Sequence, residues 1–152
     1  LMTADKAKEL GVTPRARIVD YTTVGCDPVK MLEGPIPATA KILERNGMSI
    51  DDIDLFEVNE AFAGQVLAVL AALASPVFAR EKLRREAPVG AIPMEKTNTL
   101  GGSLSLGHPF GATGARLVTT AVDRLHREDG RLALVAACAA GGQGHALLLE
   151  RA

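Results

Sequence analysis

Residues 100–114, LGGSLSLGHPFGATG, constrain this chain more than any other stretch. Gly101, Gly102, Gly107, Gly111 and Gly114 leave little room for regular structure and favour tight turns and close backbone approach. The stretch therefore reads as a loop that holds His108 between Gly107 and Pro109. Beyond it, Ala112, Ala115, Val118, Val122 and Leu125 recur at spacings of three and four, which predicts an amphipathic helix closing near Gly130. A glycine loop entering a helix invites a phosphate-cradle reading, but no Gly-Lys-Ser/Thr ending is present. The second glycine run, Gly141-Gly142-Gln143-Gly144, leads into a strand instead of a helix N-terminus. Both are excluded as nucleotide loops.

The remainder alternates strands and helices. Thr3 caps a short helix over 4–10 that closes at Gly11. Residues 16–24 are rich in β-branched and aromatic side chains and read as a strand. A loop with Pro28, Gly34 and Pro35 follows, and Pro37 opens a helix to Asn46. Residues 53–58 form a compact strand that passes at Asn59 into an apolar helix over 61–74. Phe62, Val66, Leu67, Val69, Leu70 and Leu73 surround that helix, so it is expected to be buried on every side. A charged, exposed helical turn is expected over 78–86. Residues 132–137 form an apolar strand leading into Cys138, and 145–149 return antiparallel after the glycine turn. This order predicts an α/β domain: a mixed, mostly parallel sheet, a buried helix layer and a C-terminal antiparallel strand pair.

Composition excludes several function classes. With 152 residues, 47% of them hydrophobic and 23% charged, the chain can build one domain with a real core. Net charge is -1, with Lys and Arg dispersed, so neither a nucleic-acid surface nor a polybasic membrane patch is expected. Cys26 and Cys138 lack CxxC spacing and the three histidines are scattered, so no metal site and no disulfide framework are expected. That points to a reducing compartment, the cytoplasm first and an organelle such as the mitochondrion second. The apolar run over 61–74 is too short to span a bilayer. A soluble protein is expected.

Taken singly, the chemical residues have plain structural readings. His108 can be a surface loop residue, Cys138 a small hydrophobe at a strand end, and Asn59 a helix cap. Cys26 reads as structural. Together they mean more. Cys138 and Asn59 both fall at the C-terminal ends of expected strands, where open α/β sheets place ligands, and His108 precedes a helix. A thiol that exchanges a proton, an imidazole that polarises an oxyanion and an amide suit acyl or carbon-acid chemistry on thioesters.

At these residues the sequence resembles the thiolases, specifically their C-terminal half. The resemblance spans the whole chain and rests on three motifs in the family's order. These are Asn59-Glu60-Ala61-Phe62-Ala63; Gly101-Gly102 with Gly107-His108-Pro109-Phe110-Gly111-Ala112-Thr113-Gly114; and Cys138-Ala139-Ala140-Gly141-Gly142-Gln143-Gly144. The wording is most similar to the thiolase subunit of the fatty-acid β-oxidation multienzyme complex. Two departures stand out. Such subunits often carry His where this chain has Asn59, and Ala140 stands where many thiolases have Gly.

The resemblance implies an acetyl-CoA C-acyltransferase, with coenzyme A as substrate and no cofactor. His108 would activate the nucleophilic cysteine and donate to the thioester oxyanion, and Asn59 would hold a water that completes this oxyanion hole. Cys138 would be the acid/base. The Ala140 N–H would contribute to a second oxyanion hole, with Phe62 and Gly107 lining the substrate site. The family's nucleophilic cysteine belongs to the N-terminal half and matches neither Cys26 nor Cys138. Residues 1–152 are therefore expected to be a thiolase C-terminal domain, without the N-terminal domain and the first part of its own, and inactive alone. A homodimer or tetramer, and a hydratase/dehydrogenase partner subunit, are the implied assemblies. The alternatives are a biosynthetic acetoacetyl-CoA thiolase and a non-catalytic module binding acyl-CoA or a partner protein.

Overall fold

The computed structural model describes residues 1–152. In chain order the main elements are α1 (Ala4–Glu9), β1 (Ala16–Gly25), α2 (Pro35–Arg45), β2 (Leu55–Val58), α3 (Ala63–Ala74) and the single turn α4 (Pro76–Phe78). They continue with the single turn α5 (Ser103–Leu106), α6 (Thr113–Arg127), β3 (Leu132–Ala139) and β4 (Gln143–Arg151). Helix α2 starts two residues before the expected Pro37, because Pro35 and Pro37 both fit a first turn, where no N–H has an intrahelical partner.

The four strands form one sheet in the order β1-β4-β3-β2. Only β2 and β3 pair in parallel; β4 is antiparallel to both its neighbours. The sheet is mixed as expected, yet the balance of pairings is not mostly parallel. The reason is insertion. β1, β2 and β3 all run the same way, but β4 lies between β1 and β3 and turns two of the three pairings antiparallel. A short extension follows at the β2 edge, where Thr97 bridges Phe56 in parallel.

Residues alternate across β3, the strand buried on both faces. Leu132, Leu134 and Ala136 pack with Ile36, Ile42, Val69 and Leu73 of α2 and α3. Ala133 and Val135 pack with Leu117, Ala121 and Leu125 of α6. The result is three layers, helix on sheet on helix. Two expectations change here. Helix α3 buries only Gln65, Val66, Val69 and Leu73, and leaves Phe62 and Leu67 about 60% exposed (62% and 60%). It has a sheet to pack on at one side only. The buried stripe of α6 is Thr113, Leu117, Ala121, Arg124 and Leu125, rotated from the Ala112/Ala115/Val118/Val122/Leu125 stripe expected from hydropathy. Two polar residues occupy it because each has a partner: Thr113 meets His108 and Arg124 meets Glu57.

Arg124 and Glu57 are both fully buried, 2.8 Å apart. The guanidinium also donates to the Phe56 and Lys96 carbonyls, both at 3.1 Å, and to Glu128. One side chain thus fastens α6 to β2 and to the segment beside it. Burial pushes the Glu57 carboxyl up, against the pull of Arg124. Glu57 then binds more protons folded than unfolded, so its contribution to stability falls as pH rises above the ordinary glutamate value. Arg124→Met should destabilise the fold by about 3–5 kcal/mol by stranding that carboxylate. In urea unfolding, Glu57→Gln added to Arg124→Met should recover part of the loss; a double variant worse than Arg124→Met alone contradicts this.

Candidate active site at the ends of strands β2 and β3

The site begins where β2 stops. The Asn59 N–H donates to Ala136 O at 2.8 Å and extends the parallel ladder by one residue. Asn59 is 2% exposed, and its side-chain amide lies beside the Cys138 thiol. Cys138 is the penultimate residue of β3, opposite Gly144 of β4. Burial pushes its thiol up, the neighbouring Cys26 adds to that, and the Asn59 amide draws it back in part. The thiol is therefore neutral near pH 7.

Three glycine contacts place the β3–β4 turn. A Cβ on Gly144 would strike Gly34 at the start of α2, so the turn sits directly on that helix. At Gly142, φ is +82°, and a Cβ would come within 2.6 Å of Cys26 O. The Cys26 N–H donates to Gly142 O at 2.7 Å. Cys26 therefore belongs to the walls of the site. Ala140 is exposed at the tip of the turn.

The glycine loop is tied to the same strand end. Asn98, with a left-handed φ of +49°, uses its side-chain amide as a piece of β-strand. Its Oδ1 accepts from the Val58 N–H at 2.8 Å and its Nδ2 donates to Val58 O at 2.8 Å. The same Nδ2 donates to Glu60 Oε1 at 2.7 Å, and the Leu104 N–H donates to Glu60 Oε2 at 3.0 Å. Gly102 lies against that carboxylate, where a Cβ would collide. One residue on, Ser103 is 7% exposed and its hydroxyl donates to Asn59 Oδ1 at 2.8 Å. Arg116 of α6 donates to the same hydroxyl at 3.1 Å.

Gly107, with φ +95°, ends the α5 turn. His108 follows it, exposed, with Nδ1 2.7 Å from the Thr113 hydroxyl and its ring edge-on to Phe110. That leaves Nε2 without a protein partner. The structure thus brings Asn59 and Cys138 side by side and ties the His108 loop to Asn59 through Ser103. His108 itself makes no hydrogen bond to either, and Phe62 stands exposed at the start of α3. A cavity of about 740 Å³ lies elsewhere, lined by α1, the start of β1 and Val118 and Val122 of α6. None of the candidate residues reaches it.

The family model described as thiolase, C-terminal domain, matches residues 12–151. The chain belongs to the thiolase C-terminal domain family. This thiolase domain is 53% identical over 151 residues to the mitochondrial trifunctional enzyme subunit beta of Bos taurus, covering 99% of this chain and 32% of that one. It is 47% identical to a probable 3-ketoacyl-CoA thiolase of Caenorhabditis elegans, covering 99% of this chain and 34% of the relative. Among solved structures, human mitochondrial 3-ketoacyl-CoA thiolase superposes with a TM-score of 0.84 at 40% identity, over 99% of this chain and 34% of that one. The same enzyme in complex with CoA gives a TM-score of 0.83 at 40% identity, over 98% of this chain and 34% of that one. The chain spans about a third of the length of these relatives.

Ser103, Arg116, Asn98 and Glu60 carry no role in the sequence reading, and Cys26 reads there as structural, although the thiolase domain places all of them at the site. Glu60 lies inside a quoted motif and Ser103 inside the 100–114 stretch, where the glycines and the histidine dominate. Arg116 offers only one signal, a charge next to a buried leucine in an amphipathic helix.

Because burial dominates at Cys138, its reaction with iodoacetamide, followed peptide by peptide against pH, should have a midpoint above that of free cysteine. Asn59→Ala should move the midpoint higher still, by removing the group that lowers it. A midpoint below free cysteine contradicts this picture.

Proposed function

We propose that this domain is the C-terminal catalytic part of a 3-ketoacyl-CoA thiolase of fatty-acid β-oxidation, active only with an N-terminal half that carries the nucleophilic cysteine. The observation that carries the reading is the buried Asn59 amide beside the Cys138 thiol, tied through Ser103 to the loop bearing His108. A neutral, half-buried thiol next to an amide donor suits a group that must give a proton and then take one.

In the proposed cycle the N-terminal cysteine, activated by His108, attacks the 3-keto carbonyl. The C2–C3 bond breaks and its electron pair passes into an acetyl-CoA enolate. His108 and a water held by Asn59 stabilise the enolate oxygen. Cys138 then gives its S–H proton to C2 and releases acetyl-CoA. The resulting thiolate takes the thiol proton of the incoming CoA, whose sulfur attacks the acyl-enzyme carbonyl. The Ala140 N–H faces the oxyanion formed there. That tetrahedral oxyanion then collapses, the C–S bond to the N-terminal cysteine breaks, and that cysteine takes back its proton from His108 as acyl-CoA leaves. Gly107 lets the loop approach the substrate and Phe62 lines the acyl pocket. Coenzyme A is a substrate, and no cofactor takes part in any step.

The proposal extends to the assembly: a homodimer or tetramer, with a hydratase/dehydrogenase subunit as companion, as the name of the bovine relative, a trifunctional enzyme subunit, supports. Two unpaired thiols, Cys26 and Cys138, support a reducing compartment, either the cytoplasm or, as for that relative, the mitochondrion. No single helix is long and apolar enough to cross a membrane. Similarity to a Bacillus anthracis acetyl-CoA acetyltransferase, with a TM-score of 0.82 at 40% identity, supports acetoacetyl-CoA synthesis as the alternative direction.

In the full-length protein, His108→Ala and Cys138→Ala should each lower thiolysis at least about 100-fold, the scale of a lost proton-transfer group or oxyanion donor. CoA binding should survive in both. The 152-residue chain alone should turn over no substrate. Near-wild-type thiolysis in either variant, or turnover by the isolated chain, refutes the assignment.

A further inference from the structure

A Cys138 thiol that passes through its thiolate is served by an Asn59 side chain that shows it nitrogen, not oxygen. An amide can be turned end for end at almost no cost in shape, so something must fix its sense. We propose that Ser103 and Arg116 form a donor relay that locks the Asn59 amide with Nδ2 towards Cys138, making both positioning residues for the thiol's proton transfers.

Counting protons fixes the direction of each bond. A guanidinium has donors and no acceptor. Arg116 therefore donates to the Ser103 hydroxyl, at 3.1 Å. That uses an oxygen lone pair of Ser103 and leaves its single proton to give. The proton goes to Asn59, 2.8 Å away, and Asn59 can accept only through Oδ1. Its two N–H bonds are then turned away from Ser103. That leaves Nδ2 to act on the Cys138 thiol, whose titration the Asn59 side chain draws down, and to hold the water of the oxyanion site. With the amide reversed, Ser103 would meet an N–H instead of an acceptor, and a carbonyl oxygen would confront the Cys138 thiolate.

Burial gives the relay its force. Asn59 and Ser103 are 2% and 7% exposed, so bulk water competes little for the bond between them. Arg116 has buried Nε and one buried Nη with no partner, which leaves the Ser103 hydroxyl as the acceptor its side chain has. The other ionisable groups around the relay are few. Glu57 feels the Arg116 charge from below, and Cys26 faces Cys138 from the loop after β1. Glu60 holds the neighbouring Leu104 N–H and contacts Gly102, and so sets the height of Ser103.

The inference rests on the thiolase reading for its kinetic consequences, but not for its geometry, and the test separates them. In the full-length protein, Ser103→Ala should lower kcat about tenfold, the size of one hydrogen bond to a charged group, with KM changed less than about twofold. The falling limb of kcat at alkaline pH should move to higher pH, since the Cys138 thiolate loses its N–H donor and the thiol that protonates C2 persists further. Ser103→Thr, which keeps the hydroxyl, should restore both. In an Asn59→Ala background, Ser103→Ala should cost nothing further. Independently of turnover, the iodoacetamide midpoint of Cys138 should rise in Ser103→Ala. If stranding Arg116 prevents folding, Ser103→Ala with Arg116→Met removes the charge and carries the same expectations. An unmoved Cys138 midpoint in a folded variant, or additive losses with Asn59→Ala, overturns the relay. A raised midpoint in a protein that shows no thiolysis would sustain the relay and overturn the thiolase reading.

Discussion

A single backbone hydrogen bond, from the Asn59 N–H to Ala136 O, fixes the relation on which the site depends. It carries the parallel β2–β3 pairing one residue past the end of β2, before the chain lifts away towards α3. Two side chains from distant parts of the sequence, Asn59 and Cys138, are thereby held at one level of the sheet. The pairing is rigid because β3 is buried on both faces and both of its edges are occupied, by β2 and β4. A site built on strand ends inherits that rigidity, whereas one built on loops alone would not.

The glycine loop is then fastened to this platform by polar side chains that imitate or extend the backbone. Asn98 satisfies both main-chain groups of Val58 where a further strand would have done so. Glu60 takes the Leu104 N–H, and Ser103 reaches Asn59. Glycine at 102 leaves room for the Glu60 carboxylate, which a Cβ would displace, and glycine at 107 suits a positive φ. His108 emerges from this arrangement with one ring nitrogen held by Thr113 and the other uncommitted. Beneath it, the buried Arg124–Glu57 pair holds α6, and with it Thr113 and Arg116, against β2.

Legibility in the sequence follows from how local each cause is. Glycine runs, strand composition and helix spacing act within a few residues, so the α/β class, the element order and the places of Asn59, His108 and Cys138 could be read directly. The insertion of β4 between β1 and β3 is a matter of which edges meet, and no local pattern encodes it. The exposed side of α3 was equally hidden, since a helix apolar all round says what it can bury and not what is present to cover it. Arg124 was hidden for another reason. A charge in an apolar stripe is misread as the stripe's edge until its partner, Glu57, is seen 67 residues away. Ser103 and Arg116 likewise acquire meaning only when a strand end, a loop and a helix are brought together.

The central claim is that Cys138 carries the proton to and from the acetyl-CoA methyl carbon. Exchange of those methyl protons with deuterium in D2O, catalysed by the full-length protein, tests it most directly. The wild type should exchange them. Cys138→Ala should lose the exchange while still forming the covalent acyl-enzyme on the N-terminal cysteine. Exchange that persists in Cys138→Ala would show that another group moves the proton, and would contradict the site as described.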